Sequence, residues 1–214
     1  MEDSSALAVP SMAVSSMAPT EPTTEDDLDV HLSWMRAALD QAEEAFNAQE
    51  VPVGCVFVRD GTIIARARNR TNELRNATRH AELEAIDAIL ADPNLTAQDR
   101  EARARPLART TLYVTVEPCM MCASALRQAG LERCFFGAGN ERFGGCGSVL
   151  GVNSAIPHPK LPAFPATGGL LREEAIMALR RFYITENANA PVPKSKANRV
   201  LKTEILPPKT PLST

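Results

Sequence analysis

The stretch Thr111-Leu112-Tyr113-Val114-Thr115-Val116-Glu117-Pro118-Cys119-Met120-Met121-Cys122 joins two patterns that together indicate an α/β fold. Its first six residues are apolar or β-branched, which is typical of a strand. Pro118 follows at a position where a helix can begin, because the first helical residue needs no N–H partner. The pattern predicts a helix from Pro118 to about Gln128 that ends at Gly130. A strand that leads into a helix in this way is typical of α/β sheets.

The rest of the chain predicts further strands and helices around this unit. The apolar run from Val51 to Val58 is expected to be a strand covered on both faces, and Asp60-Gly61 is a hairpin signal that returns the chain antiparallel. The remaining predicted elements are a first helix with an apolar stripe at Leu28, Leu32, Met35, Leu39, Ala42 and Phe46, a strand over about 62–68, a helix over 79–91 with Thr78 as its N-cap, strands over 133–136 and near Phe164, and a last helix over 170–187. This order predicts a three-layer α/β/α sandwich with a mixed sheet of about five strands.

Composition divides the 214 residues into one domain and two tails. Residues 1–25 are rich in Ser, Ala, Pro and Thr with few large apolar side chains, so they are expected to be disordered. Residues 26–188 are expected to form the domain, and residues 189–214 a basic, loosely ordered tail. The first thirty residues hold seven acids and no Lys or Arg, so the net charge of −3 becomes +4 for the rest. That charge tolerates a polyanionic partner but does not require one.

No segment predicts a membrane anchor or a targeting sequence. The longest apolar run, Val51 to Val58, includes Pro52 and Gly54 and is too short to cross a bilayer. The N-terminus has no basic region of the kind that signal or transit peptides carry. The five cysteines are odd in number and irregularly spaced, which argues against a set of disulfide bonds. Cys55 and Cys134 are interpreted as core residues. A cytoplasmic or nuclear location, or both, is expected, with no membrane partner.

His80, Cys119 and Cys122 have the residue types and spacing of a catalytic zinc site. The two cysteines lie three residues apart, so on a helix they share one face. Their position at a helix start favours the thiolate form that binds metal. Three protein ligands leave the fourth tetrahedral position to water, which distinguishes a catalytic site from a structural one. Glu82, two residues after the histidine, could transfer the protons of that water.

The site requires that two distant helix starts meet in the fold. If the strands that precede the two helices are neighbours, both helices begin at one edge of the sheet, where ligands usually bind in open α/β folds. Other uses of a C-x-x-C pair fit less well: a redox pair leaves His80 and Glu82 without a role, and a zinc knuckle needs a second cysteine pair. His31 and His158 lack metal-like neighbours and are interpreted as surface residues.

The combination of H-x-E with P-C-x-x-C is a known signature of zinc-dependent nucleobase deaminases. With its flanking segments, it resembles the tRNA-specific adenosine deaminases of the cytidine deaminase superfamily. The resemblance covers roughly residues 30–187 and is carried by segments 50–55, 68–70, 80–82, 115–122 and 136–140. Segments 140–148 and 171–177 are similar to the eukaryotic catalytic subunit, and to fungal forms in particular.

The resemblance implies hydrolytic deamination of adenosine to inosine at the wobble position of tRNA anticodons, by zinc-activated hydroxide with Glu82 as the proton shuttle. It also implies a Zn²⁺ cofactor and a heterodimer with a catalytically degenerate paralogue, in which the chain that keeps this glutamate is the active subunit. The substrate contacts that it implies are Val51, Pro52, Val53, Asn69, Ala81, Pro118 and Asn140. A looser similarity suggests that Lys194, Lys196 and Arg199 of the basic tail contact tRNA.

Two alternatives stay open from the sequence. A deaminase of a free base, nucleoside or nucleotide would use the same metal chemistry and would differ in its pocket and in the loop over 140–149. A non-catalytic, zinc-bound scaffold subunit of an editing complex would hold the metal without turnover. A homodimer is also compatible with the sequence.

Overall fold

The computed structural model describes residues 25–96, 103–186, 195–196 and 198–207. The predicted tails, and Lys194 with them, therefore lie largely outside the described residues. The helices are α1 Glu25–Asn47, α2 Ala81–Ala91, α3 Pro93–Thr96, α4 Met120–Ala129 and α5 Arg172–Ile184. The strands are β1 Gly54–Arg59, β2 Thr62–Arg68, β3 Thr110–Val116, β4 Arg133–Ala138 and β5 Ala166–Gly168. In these parts of the chain, no helix has the length and apolar character needed to cross a bilayer.

The strands form one mixed five-stranded sheet in the order β2-β1-β3-β4-β5. Strand β1 pairs antiparallel with both β2 and β3, whereas β3, β4 and β5 are parallel. Helices α1 and α5 pack on one face, and α2 and α4 pack on the other. The predicted three-layer sandwich is therefore confirmed, and Cys55 and Cys134 lie in its core as expected.

Helix α1 contacts the sheet through Met35 and through small side chains, of which the predicted stripe included Ala42 but not Ala38. Ala38 and Ala42 are fully buried, whereas Leu28 is 40% exposed. Gly54 at the start of β1 explains the difference, because its lack of a side chain lets the backbone of the helix come close to the strand. Met35 and Ala42 of the predicted stripe are therefore confirmed as buried, whereas Leu28 lies outside the buried face and Ala38 was not predicted.

Replacing Gly54 with alanine is expected to destabilise the fold by about 1–3 kcal/mol, because this contact cannot accept another carbon. A Cβ there would lie 2.3 Å from both Ala38 O and Ala42 N, which are backbone atoms that no rotamer change can move. Urea denaturation would show a lower midpoint with an unchanged slope. Thr62→Ala, on the exposed end of edge strand β2, is the control and is expected to change stability by less than about 0.5 kcal/mol. Equal midpoints for G54A and the wild type would contradict the close approach.

Strand β1 is shorter than the apolar run that predicted it. The strand begins at Gly54 because Val53 N–H donates to Val51 O at 2.7 Å and Pro52 has no N–H for a ladder. Residues 51–53 therefore form a turn at the edge of the sheet. Other bounds also differ: β4 continues to Ala138, β5 follows Phe164, and α5 runs from Arg172 to Ile184.

His31 is not a simple surface residue. Its Nδ1 lies 2.6 Å from the Tyr113 hydroxyl, and its ring centroid lies 4.3 Å from that of Phe135. Burial lowers the pKa of His31, and the nearby Arg133 lowers it further. His158, by contrast, is exposed as predicted. The sequence identified no partner for His31 because its contacts come from two strands more than eighty residues away.

Acidification is expected to remove stability through His31. A histidine whose pKa is lowered by folding binds more protons when unfolded, so its contribution is full above its ordinary pKa of 6.5 and is lost as the pH falls below that value. Denaturation curves between pH 5 and 8 should therefore show a steeper loss for the wild type than for His31→Phe, which keeps a ring against Phe135 and does not titrate. Parallel pH profiles for the two proteins would exclude this contribution.

Candidate metal centre

The two helices that carry the predicted ligands begin at the same edge of the sheet. Helix α2 follows β2 through residues 69–80, and α4 follows β3 after Glu117 and Pro118. The two strands are not the neighbours that the sequence argument had required for a shared edge, because β1 lies between them. Since β1 is antiparallel to both, β2 and β3 run in the same direction and still end at one edge.

Two of the three ligand residues are helix N-caps, one position before each helix begins. His80 is the N-cap of α2, whereas Thr78, predicted for that role, donates its hydroxyl to Asn76 Oδ1 at 2.8 Å. Cys119 is the N-cap of α4, so the helix begins at Met120 and not at Pro118. Both caps have extended backbone conformations and lie where helix N–H groups have no intrahelical partner. The positive ends of both helix dipoles therefore lie at the site, and their positive potential favours the thiolate form of the cysteines.

The three ligand side chains converge in space. His80 Nδ1 lies 3.6 Å from Cys119 Sγ and 3.6 Å from Cys122 Sγ, and all three ligand atoms lie within 4.8 Å of one another. Zinc bonds of ordinary length to nitrogen and sulfur, at tetrahedral angles, place such atoms about 3.6 Å apart. Both the donor set and its dimensions therefore fit Zn²⁺, with three protein ligands for a tetrahedral ion.

The ionisation of the ligands supports the same conclusion. A hydrogen bond from the Cys122 thiol, followed by one from His80, lowers the pKa of Cys119 to about 4. The same contact with Cys119, followed by burial, raises the pKa of Cys122. The two sulfurs therefore interact through a hydrogen bond, and a divalent cation bound to both would hold them as thiolates.

Glu82 lies beside the ligands in the interior of the domain. Its side chain is 3% exposed, and it occupies the second residue of α2. Burial raises the pKa of Glu82, and its carboxyl lies within hydrogen-bonding reach of the Cys122 sulfur. A carboxyl group with a raised pKa next to a metal centre is suited to accept and return protons near neutral pH.

Asn69 joins two of the segments predicted to contact substrate. Its backbone N–H donates to Val53 O at 3.0 Å, and its Oδ1 accepts from Ala81 N–H at 2.9 Å. The side chain is largely buried, so the start of β1 and the start of α2 are held together through one amide. Val51 and Pro52 precede Val53 at the same edge. Contact with substrate stays a prediction for these residues.

Pro118 lies between β3 and α4, and Asn140 lies on the loop that follows β4. Pro118 O accepts from Gly145 N–H at 2.8 Å, and Asn140 N–H donates to the Glu117 carboxylate at 2.9 Å. The loop after β4 therefore packs against the segment that carries Cys119. The structure thus places the predicted substrate residues in segments that adjoin the ligands His80 and Cys119.

Lys196 and Arg199 lie at the C-terminal end of α5. The Lys196 N–H donates to the Glu186 carboxylate, and the Arg199 guanidinium donates to Tyr183 O at 3.0 Å. Among the residues described, neither makes a hydrogen bond to the ligands or to Glu82. Their predicted contact with tRNA is not tested by this arrangement.

Two buried carboxylates near the site were not singled out from the sequence. Glu50 accepts hydrogen bonds from the Asn72 and Glu73 N–H groups at 2.8 and 2.7 Å, and from the Thr71 hydroxyl at 3.0 Å. Glu117 accepts three backbone N–H bonds from the loop after β4. The sequence did contain a feature that could have identified them. Each acid lies directly beside an apolar strand or turn, where a charged residue is unusual unless it is paired.

Comparison with known proteins agrees with this centre. Residues 28–138 match the family described as the cytidine and deoxycytidylate deaminase zinc-binding region. The tRNA-specific adenosine deaminase 2 of Danio rerio is 46% identical over 169 residues, which cover 78% of this chain and 77% of that protein. This chain belongs to the tRNA-specific adenosine deaminase family. Its fold and its His/Cys/Cys cluster are those that a zinc-dependent deaminase of the family requires.

Two further members of the deaminase family show the extent of the match. The tRNA-specific adenosine deaminase subunit tad2 of Schizosaccharomyces pombe is 46% identical over 175 residues, or 82% of this chain. The chain spans only 42% of the length of that relative. A structure from a study of A-to-I editing by tRNA:A34 deaminases at the wobble position of transfer RNA superposes with a TM-score of 0.57 at 36% identity, covering 69% of this chain and 99% of that one.

Proposed function

We propose that this chain is the catalytic subunit of a zinc-dependent deaminase that converts adenosine to inosine at the wobble position of tRNA anticodons. The observation that carries this proposal is the convergence of His80, Cys119 and Cys122 beside the buried carboxyl of Glu82. The relatives named above are adenosine deaminases of tRNA, and the related structure concerns position 34. Together these observations favour tRNA over a free base as the substrate.

The proposed reaction takes up water and releases ammonia. A zinc ion held by the three ligands would supply Lewis-acid chemistry that lowers the pKa of water toward about 7. Glu82 accepts a proton from the attacking water and delivers it to N1 of the adenine. It then takes the second proton from the new hydroxyl at C6 and transfers it to the amine, which leaves as ammonia as the C6 carbonyl forms. Its burial beside the ligands raises the pKa of the carboxyl, which suits it to accept and return protons near neutral pH.

The remaining site residues hold the base. Asn69 is oriented by Val53 and Ala81, so we assign its amide a contact with the nucleoside. Residues 51–53 and Pro118 would form apolar walls around the purine. Extruding a nucleotide is less costly in a single-stranded anticodon loop than in a duplex, which suits a base that must enter such a pocket.

A catalytically degenerate paralogue is the proposed partner. Large apolar side chains are exposed at the start of α4 and on the segment that follows β4, and Phe143 is 59% exposed. The others are Met121, Val149, Leu150 and Ile156. A second deaminase-like subunit would remove this surface from water.

We also propose that Lys196 and Arg199, at the end of α5, contribute to tRNA affinity. The enzyme is proposed to act in the cytoplasm, the nucleus or both.

A substrate comparison tests the proposal. The chain would be purified alone and together with its candidate paralogue, and each preparation offered a tRNA with A34, free adenosine, free cytidine and guanine. Mass spectrometry should detect inosine at position 34 and no conversion of the free compounds, with activity highest in the pair. Deamination of a free compound with tRNA unchanged would make the substrate assignment wrong. An inactive pair that binds zinc would instead indicate a scaffold subunit.

A further inference from the structure

Glu117 is a buried acid whose carboxylate is saturated by one loop. It is 2% exposed and follows β3 directly. Its Oε1 accepts from Cys146 N–H at 3.0 Å and Ser148 N–H at 3.1 Å, and its Oε2 accepts from Asn140 N–H at 2.9 Å. Three charge-assisted bonds from one loop offset the cost of burying the carboxylate and fix the path of that loop.

The same loop also contacts the residues on both sides of the ligand Cys119. Met120 N–H donates to Phe143 O at 2.9 Å, and Gly145 N–H donates to Pro118 O at 2.8 Å. The loop comes close enough to Glu117 that a Cβ on Gly144 would lie 2.6 Å from Oε1. Glu117 therefore lies at the centre of a rigid connection between the loop and the start of α4.

Asn140 receives its orientation from this connection. Besides the backbone bond to the Glu117 carboxylate, its Nδ2 lies 3.5 Å from Glu117 O, and its Oδ1 accepts from Phe143 N–H at 3.1 Å. We propose that Glu117 is a positioning residue for tRNA deamination, which holds the Asn140 amide in place for the substrate. This inference rests on the proposed function and on the substrate contact that the family resemblance implies for Asn140.

Replacing Glu117 with glutamine would remove the hydrogen bond from Asn140 N–H and leave the other two bonds of the loop in place. The glutamine amide has one oxygen and one NH₂ group, whereas the loop presents three N–H donors. The oxygen would remain where two donors converge, from Cys146 and Ser148, which turns the NH₂ group toward Asn140 N–H. Two donors then face each other at Asn140 while the rest of the loop keeps its bonds.

The test compares Glu117→Gln with Ser148→Ala, which alters the same loop and keeps every backbone N–H. For E117Q we expect the KM for tRNA to rise by about tenfold or more, with kcat changed by less than about threefold, because binding geometry is lost and the proton shuttle is not. S148A should match the wild type. Both variants should hold one zinc per chain and melt near the wild-type temperature. Loss of zinc or of folding in E117Q would indicate a purely structural role and overturn the inference.

A double variant distinguishes an effect that passes through Asn140 from a general structural effect. If Glu117 acts through Asn140, the KM of E117Q/N140A should equal that of N140A alone. Multiplying effects would overturn the inference. If the wild type fails to act on tRNA, the proposed function is wrong; if the wild type is active and E117Q is identical to it, only the present inference is wrong.

Hydrogen exchange on the wild type tests the anchor without any substitution. The amides of Asn140, Cys146 and Ser148 should exchange as slowly as those of β3, because all three donate to a buried acceptor. Rapid exchange at these three amides would show that the loop is not held by Glu117 and would overturn the inference even if a variant failed to fold.

Discussion

Replacing Glu82 with glutamine is expected to lower the rate of tRNA deamination by about 10²–10⁴-fold, while zinc content remains one ion per chain. Glutamine has nearly the shape of glutamate, so the buried position can accept it. It cannot accept the proton of the attacking water, and the transfer to N1 is lost with it. Single-turnover formation of inosine would measure the rate, and elemental analysis would measure the metal.

The matched control for this substitution is Glu84→Gln on the same helix. Glu84 pairs with Arg70 and Arg79 and not with the ligands, so its loss should leave the rate within about threefold. An E82Q enzyme with near wild-type activity would contradict the assigned proton transfer. A defect of equal size in E84Q would mean that any change in this turn of α2 disturbs the site.

Replacing Cys122 with alanine is expected to abolish both zinc binding and deamination. The sulfur is fully buried and lies 3.6 Å from His80 Nδ1, so no other side chain can take its place without rearrangement of α4. Even outer partners of metal ligands change affinity by about 10–100-fold, and loss of a ligand should exceed that range. Zinc content after dialysis and the inosine assay would give the two measurements.

Cys146→Ala is the control for the loss of a cysteine. Cys146 is a partly buried, free thiol on the loop after β4, and its backbone N–H bond to Glu117 survives the change. This variant should keep zinc and activity. Retention of zinc by C122A, or equal loss of zinc in C146A, would contradict the assigned ligand set.

Elements whose bounds depend on neighbouring residues have the predicted bounds, whereas those that depend on distant contacts do not. β2 has the predicted bounds, and α4 ends at Ala129 with Gly130 as its left-handed C-cap, because turn residues and helix stops act over a few neighbours. The N-cap at Thr78 was wrong for a tertiary reason. His80 takes the cap position in a segment whose path is set by Asn69 and Glu50, which are distant along the chain.

The same distinction holds for the site. The three ligands and Glu82 could be selected from residue types and spacing, since few combinations of nitrogen, sulfur and carboxylate suit a catalytic zinc. Glu50 and Glu117 were not selected, because their importance lies in the loops that donate to them. No spacing rule connects an acid after β3 with amides more than twenty residues later.

Residue chemistry and short-range spacing thus establish which atoms of this chain can bind a metal and transfer a proton, because those properties belong to individual side chains and single helical turns. Packing alone establishes that β1 inserts between the two strands that precede the ligand-bearing helices and still leaves both helix starts at one edge. That outcome depends on the close contact of Gly54 with α1 and on buried acids that hold separate loops. Such contacts join residues far apart in the chain, and their energies exist only once the layers have assembled.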